Sequence, residues 1–501
     1  MGNVAIIGAG PSGLAAAKAV LEQGLTPVLF EASGETGGMW ASPGRGAWSS
    51  LGRTNLSYHS CAFSDFPWPP GTDVFPLRSE VGRYLAAYAG AFDLTRHIRF
   101  GTRVLAVRRD DDAGWRVAVR TSGGATESRS FPQVIVASGF FARPHTPPFP
   151  GLSSYRGQIF HSADCDSPVV MGHRFRGLRV LVVGAAFSGT EIASQLIQFA
   201  DEVIVTFRNP MWFVPRWAQA VPRGRRHPLD LVMYSRWADL PVKRDPVRFL
   251  SRVAGDPGLV SAELAFDRGR EPPATIAIAD EFLSQIGAGL LSVKRSSGIT
   301  FDATGVRFAD GSRRDVDAVV MCTGYTATLP FFDADLLDIL AFHAGDQFQP
   351  LLLHRDMFHP ALPGLSFVGQ YRGPYFPVME LQARWIAGIA AGLMPPPSDA
   401  EMAEGIEVSR RLRHKQPRPQ FPHGDFVDLA DGLARAIGVY PHLDARHPLR
   451  DHVERGPVIP AHYRIRGPHA APDLAETLIR AAPAPYLETM ESHADISFFP
   501  G

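Results

Sequence analysis

The feature that most constrains this chain is a glycine-rich turn near the N-terminus, placed between an apolar run and a helical pattern. Residues 4–7 are apolar, residues 8–13 have the spacing Gly-x-Gly-x-x-Gly, and residues 14–17 read Leu-Ala-Ala-Ala. A strand, turn and helix in this order present free N–H groups and the positive end of the helix dipole to a diphosphate. The alternative is a tight turn whose glycines serve packing alone. The residues predicted to bind a dinucleotide are Gly8, Gly10, Pro11, Ser12 and Gly13.

An acidic residue follows where the ribose of such a dinucleotide is expected. A second apolar run, residues 27–30, is predicted as a strand and ends at Glu31. Glu31 lies about 20 residues beyond the first glycine, the separation at which a carboxylate commonly binds a ribose hydroxyl. Paired glycines then precede Met39 and Trp40, which suits a backbone passing close to a flat ligand. Gly38, Met39 and Trp40 are therefore added to the predicted site.

A second, looser copy of the motif lies further along the chain. The apolar run over residues 179–183 leads into a turn over residues 184–189, in which Ala186 replaces the middle glycine. The next predicted strand, residues 202–207, ends at Arg208, a cation where the first copy has an acid. A guanidinium there can pair with the 2′-phosphate of NADP, so NADP is favoured over NAD; the alternative is a solvated surface charge. The predicted cofactor contacts are Gly184, Ser188, Gly189, Thr206 and Arg208.

Two nucleotide motifs joined by a proline-rich connection predict the architecture. The chain has 501 residues, too many for one ordinary core, and residues 143–150 contain four prolines. We therefore predict an α/β fold with two Rossmann-like dinucleotide-binding domains of the three-layer FAD/NAD(P)-binding type, the NADP domain being inserted into the FAD domain. The predicted limits are 1–163 for the first part of the FAD domain, 164–316 for the NADP domain, and 317–501 for the second part with a C-terminal extension.

Hydrophobic periodicity predicts further elements. Helices are predicted over residues 79–92 with Ser79 as cap, 190–200, 280–286, 380–393, 427–437 and 472–482. Strands are predicted over residues 98–108, 114–121, 134–137, 317–325 and 365–369, and a hairpin over residues 299–308. Residues 43–76 and 209–270 are predicted to be irregular. The arginines of the second stretch are predicted to form a solvated face, namely Arg216, Arg223, Arg225 and Arg226.

Composition excludes several classes of protein. Lysine plus arginine and aspartate plus glutamate both total 50, so net charge gives no attraction to nucleic acid or to an anionic membrane. Cys61, Cys165 and Cys322 lie far apart and predict neither a disulfide framework nor a CxxC pair. No apolar run reaches about 18 residues, so no membrane span is predicted. The expectation is a cytoplasmic protein without a metal site, with a homodimer left open.

Several blocks together resemble the flavin-containing monooxygenases. Phe149-Pro150-Gly151, followed by the segment from Tyr155 to His161, is similar to the family's identifying pattern, Phe-x-Gly-x-x-x-His with an aromatic residue four positions on. The resemblance covers nearly the whole chain and is weakest over residues 209–270. Departures from the family pattern are Tyr155, Cys165, Ala186 and Phe187. Further similar blocks are Glu31 with 37–40, 54–55, 64–67, Asp317 with 323–325, 380–385, 456–457, 463–465 and 467–468.

Two nucleotide motifs in one chain, one with an acid at its ribose position and the other with a cation, indicate FAD in the first site and NADPH in the second. The resemblance implies the same pair of cofactors. In this family NADPH reduces FAD, and the reduced flavin forms a C4a-hydroperoxide with dioxygen that oxygenates a soft nitrogen or sulfur, as in N,N-dimethylaniline monooxygenase activity. Asn55 matches the family asparagine beside the flavin that supports the oxygenating intermediate, and it is the predicted catalytic residue. His161 is expected to be a structural contact between domains. The remaining predicted cofactor contacts are Thr54, Asn55, Val104, Gln382, Thr323, Gly324 and Tyr325.

Three other functions stay open. A Baeyer–Villiger monooxygenase acting on a ketone resembles this chain, but the first type ends the fingerprint in Trp and carries an Arg-x-Asp block where this chain has residues 48–55. A flavin disulfide reductase needs a redox cysteine pair, which the spacing here does not provide. A non-catalytic NADP-binding protein is expected to be colourless when purified. The expected partners of the enzyme are a small organic substrate and dioxygen.

Overall fold

Two five-stranded parallel sheets organise the structure. The computed structural model describes residues 2–41, 52–110, 114–219, 226–373 and 375–485. In the first sheet the central strand is buried, with Val4, Ala5 and Ile6 at most 1% exposed, as expected for a parallel strand covered by helices on both faces. The spatial order of this sheet is Leu365–Phe367, Gln133–Val136, Asn3–Ile7, Thr26–Phe30 and Ile98–Arg99.

The second sheet is built in the same way from the middle of the chain. All its pairings are parallel. Its five strands lie, along the chain, between two strands of the first sheet, so the second unit is inserted into the first. The predicted fold class, with two Rossmann-like units and one inserted into the other, is confirmed. The spatial order of the second sheet is Ser292–Arg295, Glu202–Phe207, Arg179–Val183, Ala318–Met321 and Gln158–His161.

The two connections between the units lie side by side. Arg143–Pro144 pairs in antiparallel fashion with Tyr325–Thr326, so the segment that leaves the first unit contacts the segment that returns to it. The second sheet begins at Gln158 and ends at Met321, slightly beyond the predicted limits of 164 and 316, because both boundary strands pair within it. The division into domains stays a prediction.

Smaller sheets flank the two main ones. Each unit carries one three-stranded antiparallel sheet, and three two-stranded pairs complete the described strands. The three-stranded sheets are Thr102–Asp110, Gly114–Thr121 and Thr126–Phe131, and Ile299–Phe301, Gly305–Phe308 and Arg313–Asp315. The two-stranded pairs are Trp212–Val214 with Ile276–Ile278, Trp217–Gln219 with Arg226–Pro228, and Arg143–Pro144 with Tyr325–Thr326.

Helices cover both main sheets, and the helix Phe376–Ala390 packs on the helix Pro11–Glu22 that follows the first glycine turn. Among the described segments, no helix combines the length and the apolar character that crossing a membrane requires. The other α-helices are Arg78–Ala91, Pro168–Phe175, Phe187–Leu196, Leu229–Met233, Pro241–Arg244, Pro246–Ala254, Phe282–Gly287, Ala334–Ile339, Asp399–His414, Phe426–Ala436, Arg450–Glu454 and Pro472–Ala481. Short 3₁₀ turns are Gly38–Trp40, Thr95–His97, Leu152–Ser154, Ser162–Asp164, Pro257–Leu259, Ala262–Leu264 and Pro460–Arg464.

Several predicted helices begin elsewhere. The helix predicted over 79–92 has Leu77 as its N-cap rather than Ser79, and the Glu80 side chain accepts the Leu77 N–H. The helix predicted over 190–200 begins at Phe187, because the glycine turn leads into it directly. The helix predicted from residue 380 begins at Phe376, since a proline fits a first helical turn, where no intrahelical N–H bond is lost.

Three regions contain structure that the periodicity did not indicate. The described part of 209–270 contains three strands and three helices rather than irregular chain. The strand predicted over 98–108 is two strands separated at Gly101, which has a φ of +60°. The helix Asp399–His414 is absent from the predictions, although Ser398 and Glu401 form a capping box at its start. Its predominantly polar composition gave no clear apolar stripe.

A buried ion network joins distant segments of the first unit. Glu380 accepts hydrogen bonds from the Ser64 N–H at 2.8 Å and from Arg464 Nη2 at 2.8 Å. The same guanidinium lies 3.1 Å from Asp65, which also contacts Lys18 Nζ at 2.7 Å. The side chains of Arg464 and Glu380 are 1% and 5% exposed. Burial opposes ionisation of Glu380, but the surrounding cations outweigh it and hold the pKa of this carboxyl at about 2.

We expect Glu380→Gln to lower the free energy of unfolding by about 3–5 kcal/mol at neutral pH, because Arg464 loses a buried anionic partner. The folded pKa of Glu380 lies below the unfolded value of about 4.3. The electrostatic stabilisation is therefore complete above that value and is lost as the pH falls towards 2, so wild type and variant should converge in acid. Urea unfolding followed by circular dichroism at several pH values measures the difference.

Glu476→Gln is the matched control. Glu476 pairs with Arg480 on a helix surface, and both side chains are 45% exposed. Such a pair contributes less than about 1 kcal/mol. Equal destabilisation by the two substitutions would contradict the structural role of the Glu380–Arg464 pair.

Candidate active site

The first glycine turn excludes side chains at two positions. Gly8 has a φ of +105°, and a Cβ on it would lie 2.6 Å from the Ala137 carbonyl oxygen. A Cβ on Gly13 would lie 2.0 Å from the Gly8 carbonyl oxygen. The helix Pro11–Glu22 therefore begins in contact with the strand before it, and its N-terminus lies at the carboxyl edge of the first sheet. This is the edge at which dinucleotides bind in parallel α/β folds.

The second glycine turn repeats this geometry. Gly184 has a φ of +107° and would place a Cβ 2.6 Å from the Cys322 carbonyl oxygen, while a Cβ on Gly189 would lie 1.8 Å from the Gly184 carbonyl oxygen. Ala186 replaces the middle glycine at no conformational cost. It is the N-cap of the following helix with extended backbone angles, which any residue can adopt.

A third backbone segment lies against the first turn. A Cβ on Gly38 would lie 3.1 Å from the Gly10 Cα, and the Gly37 N–H donates to the Ala9 carbonyl at 2.9 Å. The predicted contacts Pro11 and Ser12 open the helix beside it. The structure therefore brings the two glycine-rich segments together into one cradle, as their predicted role requires.

Arg78 supports this cradle, although no sequence pattern indicated it. Its guanidinium is buried and donates to the Met39 carbonyl at 3.2 Å and to the Ala41 carbonyl at 2.8 Å. These bonds hold the 3₁₀ turn that contains Met39 and Trp40. Burial lowers the pKa of Arg78 from its ordinary value.

Glu31 ends its strand as predicted, and backbone groups already bind its carboxylate. The Ala9 N–H donates to one oxygen at 2.8 Å and the Ser33 N–H to the other at 2.7 Å. Each oxygen keeps a further lone pair, so a ribose hydroxyl could still donate to it. Val104 lies nearby on a strand whose Thr102 N–H donates to the Glu31 carbonyl at 2.8 Å, and its side chain is 8% exposed.

Arg208 and Thr206, two of the polar residues predicted for the second site, differ in their availability to a ligand. Arg208 is exposed at the end of its strand, and it has no ion-pair partner within the described part of the chain. The Gly184 N–H donates to the Thr206 carbonyl at 2.8 Å, which places the strand end beside the glycine turn. The Thr206 hydroxyl is buried and donates to the Lys294 carbonyl at 3.0 Å. A donor role towards a phosphate would require this bond to break.

Asn55 lies where the two units meet. Arg216, from the second unit, donates to the Thr54 carbonyl at 2.9 Å, to the Arg53 carbonyl at 3.2 Å and to Asn55 Oδ1 at 3.4 Å. Asp280 binds the same guanidinium at 2.7 Å. Arg216 is 9% exposed, so its predicted place on a solvated face is wrong: carbonyl and carboxylate oxygens replace water around it.

Other sequence predictions in these loops have mixed outcomes. Arg226 is exposed, as predicted for the solvated face, whereas Arg223 and Arg225 lie outside the described residues. Residues 48–51, part of the block that bears on Baeyer–Villiger chemistry, also lie outside them.

Asp230 is a second contact across the units that the sequence did not reveal. Its Oδ2 accepts hydrogen bonds from the Ser57 hydroxyl at 2.7 Å and the Ser60 hydroxyl at 2.6 Å. Asp230 is 3% exposed, and burial raises the pKa of its carboxyl while the two serines oppose that shift. Arg216 and Asp230 together hold the loop after residue 52 against the second unit.

The predicted contacts at residues 323–325 lie at the paired connections. His161 Nε2 is 3.0 Å from the Gly324 carbonyl oxygen, and the rings of His161 and Tyr325 meet edge to face at 5.0 Å. The Thr323 hydroxyl donates to the His145 carbonyl. Burial lowers the pKa of His161. These contacts support the predicted structural role of His161, and a cofactor contact by 323–325 stays a prediction.

Gln382 supports the wall of the first site from the helix Phe376–Ala390. Its Oε1 accepts the Gly369 N–H at 2.9 Å, and its Nε2 donates to the Arg355 carbonyl at 3.3 Å. A Cβ on Gly369 would lie 2.2 Å from Ser12 Oγ. Gln382 therefore positions the strand end that contacts the first helical turn.

Unpaired buried polar atoms lie at the same edge of the first sheet and in the loop that carries Asn55. Within the described chain, Thr54 Oγ1, Ser138 Oγ and both amide atoms of Gln370 have no hydrogen-bond partner. Thr54 is predicted as a cofactor contact, whereas Ser138 and Gln370 are not. They directly follow Ala137 and Gly369, which lie against Gly8 and Ser12. Buried polar groups without partners are costly, so this edge suits a ligand with many donors and acceptors. An FAD dinucleotide meets that requirement.

Comparison with known proteins agrees with this geometry. The family model described as flavin-binding monooxygenase-like matches residues 1–479. Flavin-containing monooxygenase 5 of Mus musculus is 32% identical, with 93% of this chain and 89% of the relative covered. Dimethylaniline monooxygenase [N-oxide-forming] 2 of Cavia porcellus is 32% identical, with 88% and 83% covered.

Solved structures share the fold. The S-allyl-L-cysteine S-oxygenase of Allium sativum superposes with a TM-score of 0.65 at 23% identity, covering 96% of this chain and 98% of the other. A cyclohexanone monooxygenase mutant from Rhodococcus sp. Phi1, bound to NADP+, has a TM-score of 0.63 at 18% identity, covering 87% and 97%. With its two glycine turns, its inserted second unit and these relatives, the chain belongs to the flavin-binding monooxygenase-like family and is an FAD-containing, NADPH-dependent monooxygenase.

Proposed function

We propose that this enzyme uses NADPH and dioxygen to oxygenate a soft nucleophilic nitrogen or sulfur of a small organic molecule. The observation that carries the proposal is the position of Asn55, in a loop of the first unit that the second unit holds through Arg216. A reaction that needs both dinucleotides requires their reactive ends to meet between the units, and Asn55 lies at that junction. A relative named for dimethylaniline N-oxide formation supports oxygenation of nitrogen. The fold shared with an S-oxygenase is compatible with oxygenation of sulfur.

The first unit would hold FAD through its cradle. Gly8, Gly10 and Gly13 allow the diphosphate to approach the backbone, and the N-terminus of the helix Pro11–Glu22 offers N–H groups and a positive dipole end. Glu31 would accept the ribose hydroxyls. When bound, FAD supplies the redox chemistry, accepting hydride from NADPH and activating dioxygen.

The second unit would hold NADPH at its own glycine turn. Gly184, Ser188 and Gly189 would face the diphosphate, and the exposed Arg208 would bind the 2′-phosphate by a charge-assisted hydrogen bond. Asn55 would orient its amide through the Arg216 contact on Oδ1, which leaves its two amide N–H groups to donate elsewhere. Those donors are the groups that we expect to stabilise the oxygenating state of the site.

The reaction class is tested with the purified holoprotein. We expect a yellow protein whose flavin absorbance bleaches when NADPH is added without oxygen. On admission of oxygen, N,N-dimethylaniline should give its N-oxide or methyl phenyl sulfide its sulfoxide, as measured by chromatography. Conversion of cyclohexanone to a lactone with the amine and the sulfide untouched would instead favour the Baeyer–Villiger alternative.

We expect Arg208→Ala to raise the Michaelis constant for NADPH by about 10- to 150-fold, because one charged phosphate contact is lost. NADH has no 2′-phosphate, so its Michaelis constant should change little. Steady-state flavin reduction with the two cofactors measures the ratio. Arg176→Ala is the matched control, because Arg176 is also an exposed arginine of the second unit but precedes the strand that leads to the glycine turn. Equal effects of Arg208→Ala on both cofactors would contradict phosphate recognition.

Asn55 is tested with two substitutions that separate its two hydrogen-bonding functions. Asn55→Asp keeps an oxygen for Arg216 but removes the amide donors, whereas Asn55→Ala removes both. We expect both variants to release at least about tenfold more hydrogen peroxide per NADPH consumed, a loss of about 1.4 kcal/mol of stabilisation. A peroxidase-coupled assay measures this release. A wild-type yield from Asn55→Asp would show that only the Arg216 contact matters.

A further inference from the structure

A cavity of about 310 Å³ lies between the loop that carries Asn55 and the hairpin that follows Arg216. His59, Val74 and Pro483 form the wall from the first unit. The wall from the second unit contains Trp217, Arg226, His227 and Pro228, which belong to the antiparallel pair Trp217–Gln219 and Arg226–Pro228. Its volume is that of a small-molecule site.

Direct contacts hold the two walls in place. Asp230, two residues after Pro228, accepts hydrogen bonds from Ser57 and Ser60, which flank His59. The rings of Phe75 and Trp217 meet edge to face at 5.3 Å. Because a buried carboxylate and an aromatic contact join the walls, the cavity is a preformed feature of the contact between the units.

The cavity is lined by residues of the same two chain segments that form the junction at which we place the chemistry. His59 lies in the same short loop as Asn55, and Trp217 directly follows Arg216, whose guanidinium contacts Asn55 Oδ1 at 3.4 Å. A molecule in the cavity would therefore rest on the two chain segments that position Asn55.

The charged and neutral groups of the lining favour some ligands over others. Burial lowers the pKa of His59 to about 4, so this imidazole is neutral at pH 7. Among the described lining residues, Arg226 is the one permanently charged group, and no carboxylate lines the cavity with it. Trp217, Val74 and Pro228 offer an apolar and aromatic surface. Such a lining favours an apolar molecule with an anionic group and disfavours a protonated amine.

We propose that this cavity is the docking site for the organic substrate, and that it selects small thioethers that carry a carboxylate over neutral thioethers and cationic amines. The proposal rests on the proposed oxygenase function and narrows it. Arg226 acts as the specificity-determining residue.

A matched pair of probes tests the selection: para-(methylthio)benzoate and para-(methylthio)benzamide, which differ in charge but hardly in shape. Calorimetric titration of the oxidised holoenzyme with NADP+ present gives both dissociation constants. Because Arg226 is exposed, we expect the carboxylate to bind about three- to fivefold more tightly, with a preference that decreases as salt is added. Arg226→Gln should abolish the preference, Arg226→Lys should retain most of it, and the exposed control Arg268→Gln should leave it unchanged.

The outcomes separate this proposal from the function on which it rests. Equal binding of the two probes by the wild type, or an unchanged preference in Arg226→Gln, would overturn the cavity assignment even if sulfides are oxygenated. Conversely, if NADPH does not reduce the bound flavin, the oxygenase function is overturned. The binding preference for the two probes would still test the cavity assignment. With active enzyme, the ratio of kcat/KM for the two thioethers should follow the ratio of their affinities.

Discussion

The buried contact between Glu380 and Arg464 is the interaction on which the arrangement of the first unit depends. The two residues are 84 positions apart, yet their side chains meet at 2.8 Å with almost no access to water. Ser64 and Asp65 join them from the loop that carries Asn55. In its described part this loop contains no helix and only isolated bridges. Ion pairs and hydrogen bonds, rather than regular secondary structure, therefore set its position.

The second unit holds the same loop from the other side. Arg216 binds three consecutive residues of it, and Asp230 binds two serines further on. The loop is thus anchored both to the core of the first unit and to the inserted unit. This double anchoring holds a segment without regular structure, and Asn55 with it, at the contact between the two units. The cavity lies beside the same contact. Movement of one unit against the other would act directly on Asn55.

Local patterns predicted the fold and the two glycine turns well. The geometry of a glycine motif depends on residues nearby in the chain. The same holds for the strand before the motif and for the residue at the end of the next strand. The spacing of these residues was therefore enough to predict them. The helix Asp399–His414 was missed because its stabilisation begins with a polar capping box rather than an apolar stripe. Arg216 was assigned to the solvent because it lies in a basic stretch without periodicity. Its partner Thr54 lies 162 residues away, and no local pattern encodes that contact.

By itself, the sequence determined the class of chemistry: two dinucleotide motifs, an acid after one and a cation after the other, within blocks that resemble one family. These signals are readable because turn geometry and strand burial constrain residue types locally. Only the tertiary structure decided that Ala186 is compatible with the second turn, that Arg216 and Asp230 face the Asn55 loop, and that Arg226 lines a cavity there. Contacts between units depend on how two separate sheets are placed against each other. The spacing of residues along the chain does not encode that placement.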